Sequence, residues 1–350
     1  MSRLADIRLH AQQLAAPQCD DPVDAVRRMG AVQAQEYASA KWAVGLRLRR
    51  PSLRAVDEAL AAGRLLRMHI LRPTWHLIAA EDVRWMLRLT GRRIRAANAS
   101  FARSCGYGDI DYARCERLLV RLLEGGRQLT RPEIAAGLGR AGESEDPHRV
   151  KRILMCAESE GLICSGADRG AAVTYALLAE RVPQPLDLSY EEALALLARR
   201  YFGSRSPATF EDFVWWSGLT VAEARRGVAS LGGELSRETF DGREYLLHES
   251  CAAHGRTCRR VHLLPAFDEY LIAYRDRSAV LADEYRSRAF NAYGTFRPVM
   301  LCSGRVAGCW TRGGRGIETE PFAGERQPAA VQLRAAIARW ERFHRTTAKS

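Results

Sequence analysis

Lysine is almost missing from this sequence: of its 53 basic residues only Lys41, Lys151 and Lys349 are lysine, and the rest are arginine. A GC-rich coding bias accounts for most of that exchange, but not for the formal charge of +12. Such an excess favours polyanionic partners, and the arginine fork suits phosphate oxygens and guanine edges. Metal-binding spacing is missing too. The 9 cysteines contain no CxxC pair and the 8 histidines no HxxxH pair. A disulfide framework and a zinc site are thereby excluded as readings, and neither metal nor other cofactor is expected. No apolar run approaches the roughly 18 residues of a membrane span. The opening "MSRLADIRLHAQQ" carries charges where a signal peptide needs an apolar run. The expectation is a reduced, soluble, cytoplasmic protein with no membrane partner.

What is present is a globular composition, 47% hydrophobic and 27% charged over 350 residues, enough for two or three core-forming units. One grammar recurs along it: capped short helices, then two strands joined by a turn. In "LTRPEIAAGLGRAG", Thr130 caps a helix, Pro132 sits in its first turn and Glu133 completes a capping box. "DPHRVKRILMCAESEGLI" follows with Val150, Ile153 and Leu154 on one face, ending near Gly161. "GLICSG" and "AVTYALL" then read as strands. Helix, turn, helix and hairpin make a winged helix. The pattern returns with Ser189 and Glu192, with Thr209, and with Thr220 and Glu223 as caps. A hairpin turning at Asp241-Gly242 closes that second winged helix. "RLLRMHILRPTWHLIAA", bent near Arg72-Pro73, is a third wing preceded by helices. The expected fold class is α+β and helix-rich, with three tandem winged helix-turn-helix units. Their predicted bounds are residues 1–125, 126–185 and 186–255, followed by an α/β region over 256–350. That last region holds a β-hairpin turning at Gly304-Arg305-Val306 and a closing basic helix.

Several arginines are placed to meet DNA. Between Asp82 and Asp109 there is no acid, yet Arg84, Arg88, Arg92, Arg93, Arg95 and Arg103 all occur. They read equally as a solvated helix face or as phosphate contacts. Arg149, Lys151 and Arg152 lie on the recognition helix expected for the middle unit, and Arg225 and Arg226 on that of the next. Surface charge is the plainer reading of both sets.

"RRMGAVQAQEYASAKW" raises a different question, because Gln33 and Gln35 flank one alanine where a helical pattern runs out. Periodicity alone reads them as amides serving the open carbonyls of a helix end. Five segments shift that reading. "GAVQAQ", "WAVGLRLR", "LRPTWHLIAAEDVRWML", "LLPAFDEYLIAYRDRS" and "RPVMLCSGRVAGCW" together, in order and over nearly the whole chain, resemble the AlkZ-like DNA glycosylases. The resemblance implies three tandem winged helices in a C-shape around DNA. It implies a monomeric enzyme that hydrolyses the N-glycosidic bond of bulky N7- or N3-alkylated purines in double-stranded DNA, including the unhooking of interstrand cross-links. The family's catalytic signature is Gln-x-Gln in one branch and Gln-x-Asp in another, and Gln33-Ala34-Gln35 matches the first. That branch includes enzymes that protect antibiotic producers from their own DNA-alkylating products. The hairpin at Gly304-Arg305-Val306 resembles the one that approaches the damaged duplex, which implies DNA contact by Arg305 and Val306.

Other residues have competing readings. His69 and His76 flank "LRPTW" and read as structural histidines before they read as lesion contacts. Asp268 and Glu269 are the best carboxylates for a conventional base, with capping or pairing to Arg275 as the plainer role. Trp42, Trp75, Trp85, Trp215 and Trp216 read mostly as core. Lys41 is the amine a bifunctional lyase would need, and a non-catalytic winged-helix regulator is the alternative to any enzyme.

Overall fold

The structure, a computed structural model, describes residues 3–252, 258, 260–314 and 316–345. It is helix-rich α+β, and the chain separates into two compact units: Asp57–Ala193, and Met1–Val56 with Leu194–Ser350.

Asp57–Ala193 begins with the end of the helix Leu53–Ala61, and a hairpin follows. Leu65–Ile70 runs antiparallel to Thr74–Ala79, with Leu65 opposite Ala79 and Ile70 opposite Thr74. The bend expected near Arg72-Pro73 is there, with Leu71 at φ +62°. The long helix Val83–Ser104 follows and buries Trp85, Met86, Leu89, Ile94 and Ala102 along one stripe. It packs on the helix Pro147–Ser159. At Gly91 an added Cβ would lie 2.5 Å from the Ser159 carbonyl oxygen, so this close approach requires glycine. The helices Tyr112–Leu123, Arg131–Arg140 and Pro147–Ser159 close a core around Leu119, Ile134, Leu138, Val150, Ile153 and Leu154. The Thr130–Glu133 capping box forms as expected, and Asp146 caps the next helix ahead of Pro147. Ile163–Ser165 and Leu129–Thr130 pair on either side of Thr174–Leu177.

One feature departs from expectation. The helix predicted to read bases, Pro147–Ser159, buries every residue from Arg149 to Ser159 except Lys151 and Arg152. The arginine-bearing helix covers part of it, and Asn98 Nδ2 donates to the Arg152 carbonyl at 2.9 Å. Its apolar residues run past one face, through Met155, Cys156 and Ala157, which is the pattern of an enclosed helix.

The other unit holds the helices Pro22–Met29 and Tyr37–Leu46, then Tyr190–Arg205 from Leu194 onward, Phe210–Ser217 and Val221–Ala229. Thr209 with Asp212, and Thr220 with Glu223, form capping boxes. Tyr201, Phe202, Phe213 and Trp216 make an aromatic centre with ring centroids 5.1 to 5.5 Å apart. Leu235–Phe240 and Arg243–His248 form the expected hairpin. Asp241 and Gly242 both take positive φ, the turn that matches strand twist.

A four-stranded sheet completes this unit, in the order Gly316–Pro321, Arg305–Gly313, Val299–Cys302, Val261–Leu264. The helix Ala330–Arg345 covers one face around Met300, Trp310 and Ala336. The hairpin expected to face DNA needs correction here. Cys302 pairs with Arg305, so the turn is Ser303-Gly304, with φ of +53° and +80°. Tyr270 OH donates to the Gly304 carbonyl at 2.8 Å. An added Cβ on Gly304 would sit 3.0 Å from the Cβ of Ala5. The turn is therefore packed inside the unit, and Val306 is 0% exposed. The next hairpin reaches further into solvent, with Thr311 and Arg312 on the surface.

Candidate active site

The glutamine pair lies past the end of a helix, not within its last turn. Pro22–Met29 stops at Gly30, which sits at φ +73° and donates its N–H to the Arg27 carbonyl. The chain then runs extended through Val32–Gln33 and bends at Gln35. Gln33 is buried, at 4% exposure, whereas Gln35 is exposed. The pair straddles the surface: one amide has a fixed protein setting and the other meets solvent.

A buried ion pair fixes this stretch. Arg205, at the C-terminus of Tyr190–Arg205, donates from Nη1 to the Met29 carbonyl (2.7 Å) and from Nη2 to the Ala31 carbonyl (3.0 Å). The same guanidinium reaches Glu269 Oε2 from Nη2 at 2.6 Å and from Nε at 3.2 Å. Trp216 Nε1 also donates to that oxygen at 2.9 Å, and its ring lies 4.3 Å from the Arg205 guanidinium. The remaining oxygen, Glu269 Oε1, accepts the backbone N–H of Gln33 at 2.8 Å. Arg205 and Glu269 are both 0% exposed. In such a setting each charge depends on the other and on every further hydrogen bond.

Asp268 anchors the neighbouring position. Its Oδ1 caps the short helix Glu269–Ile272 through Tyr270 N. Arg47 grips both carboxylate oxygens at 2.9 Å and also donates to Gln12 Oε1. Burial alone would lower the Arg47 pKa, but the adjoining Asp268 carboxylate outweighs it and the guanidinium stays above its ordinary value. The expected pairing of these carboxylates with Arg275 is corrected. Their partners are Arg47 and Arg205, while Arg275 offers its backbone N–H to Asp212 at 2.8 Å. The capping role of Asp268 does hold. With all four oxygens engaged and both side chains buried, neither carboxylate is placed to deprotonate a water.

The remaining candidates separate by exposure and partners. Arg92 is exposed, Arg93 donates to the Leu89 carbonyl, and Arg95 pairs with Glu160. Arg84, Arg88, Arg92 and Arg95 follow one stripe of Val83–Ser104 beside a cavity of about 500 Å³. Lys151 is exposed, and the Arg152 guanidinium lies 5.0 Å from the Phe101 ring. Arg149 is different: at 9% exposure it is held by Asp109 and Glu143, both at 2.7 Å. This arginine is an internal cross-link between the buried Glu143 carboxylate and the exposed Asp109, with its donors taken up by the protein, which corrects the expectation that it faces DNA. Arg305 is held by Glu325 at 2.7 Å. Arg225 and Arg226 are exposed on the open helix Val221–Ala229. Trp42, Trp85 and Trp216 are core, whereas Trp215 is 43% exposed. His76 is buried and its Nδ1 meets the Thr74 carbonyl at 3.0 Å. Lys41 sits 4.2 Å from the centre of the Tyr37 ring.

Sequence reasoning missed Arg205, which holds the backbone ahead of Gln33, and Arg47, which holds Asp268. An arginine closing a helix in "ARRYFGSRSP" looks like any surface cation. Only the distant Glu269 reveals its task.

A family model described as DNA glycosylase AlkZ-like matches residues 26–343. The chain belongs to the AlkZ-like DNA glycosylase family. It is accordingly an enzyme, a DNA glycosylase. An interstrand DNA cross-link repair glycosylase of Streptomyces sahachiroi is 28% identical over 334 residues, covering 89% of this chain and 88% of its own. The solved structure of the Streptomyces sahachiroi DNA glycosylase AlkZ shares the fold. Its TM-score is 0.83 at 24% identity, covering 97% of this chain and 95% of that one. Among the described residues no helix is long and apolar enough to cross a membrane.

Proposed function

We propose that this AlkZ-like glycosylase is monofunctional and acts on bulky, cationic N7- or N3-alkylated purines in double-stranded DNA, with Gln33 and Gln35 as its catalytic residues. Alkylation at N7 puts a positive charge on guanine, so the base leaves without a general acid. Its departure generates an oxocarbenium-like sugar. Gln33 and Gln35 direct their carbonyl oxygens at the attacking water and set negative dipole ends near the developing charge. A glutamine takes up no full proton, so a neutral, undamaged guanine is spared. The observation that carries this reading is the Arg205–Glu269 pair. It grips the backbone from Met29 to Gln33 and occupies the carboxylate that would otherwise compete as base.

Interstrand cross-links, on which the Streptomyces relative acts by its name, belong to the substrates of this chain in the same reading. Protection of a host against a DNA-alkylating natural product would be the cellular counterpart. The scaffold in this reading is three tandem winged helices, bounded near residues 125, 185 and 255, in a monomer. DNA phosphates meet Arg92, Arg93, Arg95, Lys151 and Arg152. The test is incubation with DNA carrying a defined N7-alkylguanine, scored for abasic sites. Gln33→Ala and Gln35→Ala should each keep folding and DNA binding while slowing base release by about 100-fold or more. Unchanged release by both single variants and by the double variant eliminates the mechanism. A non-catalytic regulator would release no base at all, and a lyase would leave a borohydride-trapped adduct lost in Lys41→Ala.

A further inference from the structure

Within Asp57–Ala193 lies a cavity of about 360 Å³ that the glutamine site does not use. Its walls come from the hairpin face bearing Arg67, His69 and Trp75, from Lys151 to Glu158 of the enclosed helix, from Arg131, and from Tyr175. That volume is within the range of small-molecule pockets, roughly 300–1,000 Å³.

The floor is a charge with half its capacity unused. Glu158 is 0% exposed. Its Oε2 meets His69 Nδ1 at 2.5 Å. Its Oε1 is buried and has no hydrogen-bond partner. A fully buried carboxylate oxygen without a donor is costly, and an arriving N–H group relieves that cost. One wall is aromatic: the Trp75 ring lies 3.9 Å from His69 and 4.3 Å from the Arg67 guanidinium. The rim is cationic. Arg131 and Lys151 have no carboxylate partner among the described residues. Burial and the neighbouring Arg152 and Arg131 hold the Lys151 ammonium below its ordinary pKa. Like charges gathered at one rim, away from a direct ion pair, favour an anionic ligand group.

A ligand that satisfies all three features is planar, presents N–H donors at one end and carries an anion at the other. A nucleotide does so, and guanine does so best. Its Watson–Crick edge sets N1–H and N2–H side by side, so one carboxylate oxygen accepts from both. Thymine offers a single N–H between two carbonyls. We propose that this cavity is a subsite for one unpaired guanine nucleotide, its Watson–Crick edge on Glu158, its ring along Trp75 and its phosphate between Arg131 and Lys151. In duplex DNA the occupant is a guanine extruded from the stack. The proposal rests on the reading of this chain as a DNA glycosylase, but not on the role of Gln33 and Gln35.

The test is ligand-observed NMR titration of the full chain with dGMP, dIMP and dTMP at millimolar concentration. The expected order is dGMP tightest, dIMP weaker by about tenfold for want of the N2 amino group, and dTMP weaker still. Glu158→Gln should erase the preference for dGMP over dIMP. Arg131→Ala with Lys151→Ala, both surface changes, should weaken dGMP and leave deoxyguanosine unchanged. Gln33→Ala should bind dGMP as the wild type does. Equal binding of dGMP and dTMP, no binding of dGMP, or dGMP binding indifferent to both sets of pocket variants would overturn the subsite. Intact dGMP selection in a protein that releases no alkylated base would instead overturn the catalytic reading alone.

Discussion

At the scale of single residues, the catalytic proposal turns on what Glu269 is for. A carboxylate with one oxygen on a backbone N–H and the other on Arg205 and Trp216 is a structural clamp. Glu269→Gln leaves the Arg205 guanidinium buried without a counter-charge, and breaking such a pair costs about 3–5 kcal/mol. Denaturant unfolding should show that loss, together with slower base release. A Glu269→Gln protein of undiminished stability that has lost only its activity would make Glu269 the general base instead. The motif itself was visible in the sequence as Gln33-Ala34-Gln35, because two amides around one small residue already matched a family pattern. Its supports were not. Arg47 and Arg205 look like any of the chain's many arginines, and their meaning comes from Asp268 and Glu269, which lie far along the chain. Arg149 was misread for the same reason, since Asp109 and Glu143 neutralise it only once the chain is folded.

At the scale of elements, the short stretch after Pro22–Met29 decides where the amides stand. Gly30 takes φ +73°, a conformation that residues with a Cβ rarely adopt, and an added Cβ there would meet Trp216 and Arg200 only at ordinary contact distance. Gly30→Ala therefore acts through backbone strain, about 1–3 kcal/mol, rather than through a clash. The expected outcome is a folded protein with a lowered unfolding midpoint and slower base release. Unaltered kinetics would show that the position of Gln33 does not depend on this turn. Local chemistry made most elements legible beforehand. Capping boxes at Thr130, Thr209 and Thr220 and the Asp241-Gly242 turn all form where their residues announce them. Burial was less legible. The Ser303-Gly304 turn and the helix Pro147–Ser159 have the sequence of surface elements, yet packing encloses both. A β-turn and an amphipathic helix specify their own geometry, not what covers them.

At the scale of the whole molecule, the charge of +12 predicts binding that weakens steeply with salt. Arg92 is exposed and Arg149 is internally paired, so the two should behave differently. Arg92→Ala should reduce the slope of log affinity against log salt by about 1. Arg149→Ala should leave the slope alone and lower stability. Equal effects on the slope would show that the internal pairing of Arg149 gives way on DNA. Net charge identifies the partner class but not the reaction, which in the proposed mechanism depends on the leaving base carrying its own positive charge. The most direct measurement compares release of an N7-alkylguanine from duplex DNA with release of the same adduct after its imidazole ring has been opened, which keeps the bulk and removes the charge. Rapid release of the cation with the neutral form left in place is the predicted result; equal rates for the two would contradict it.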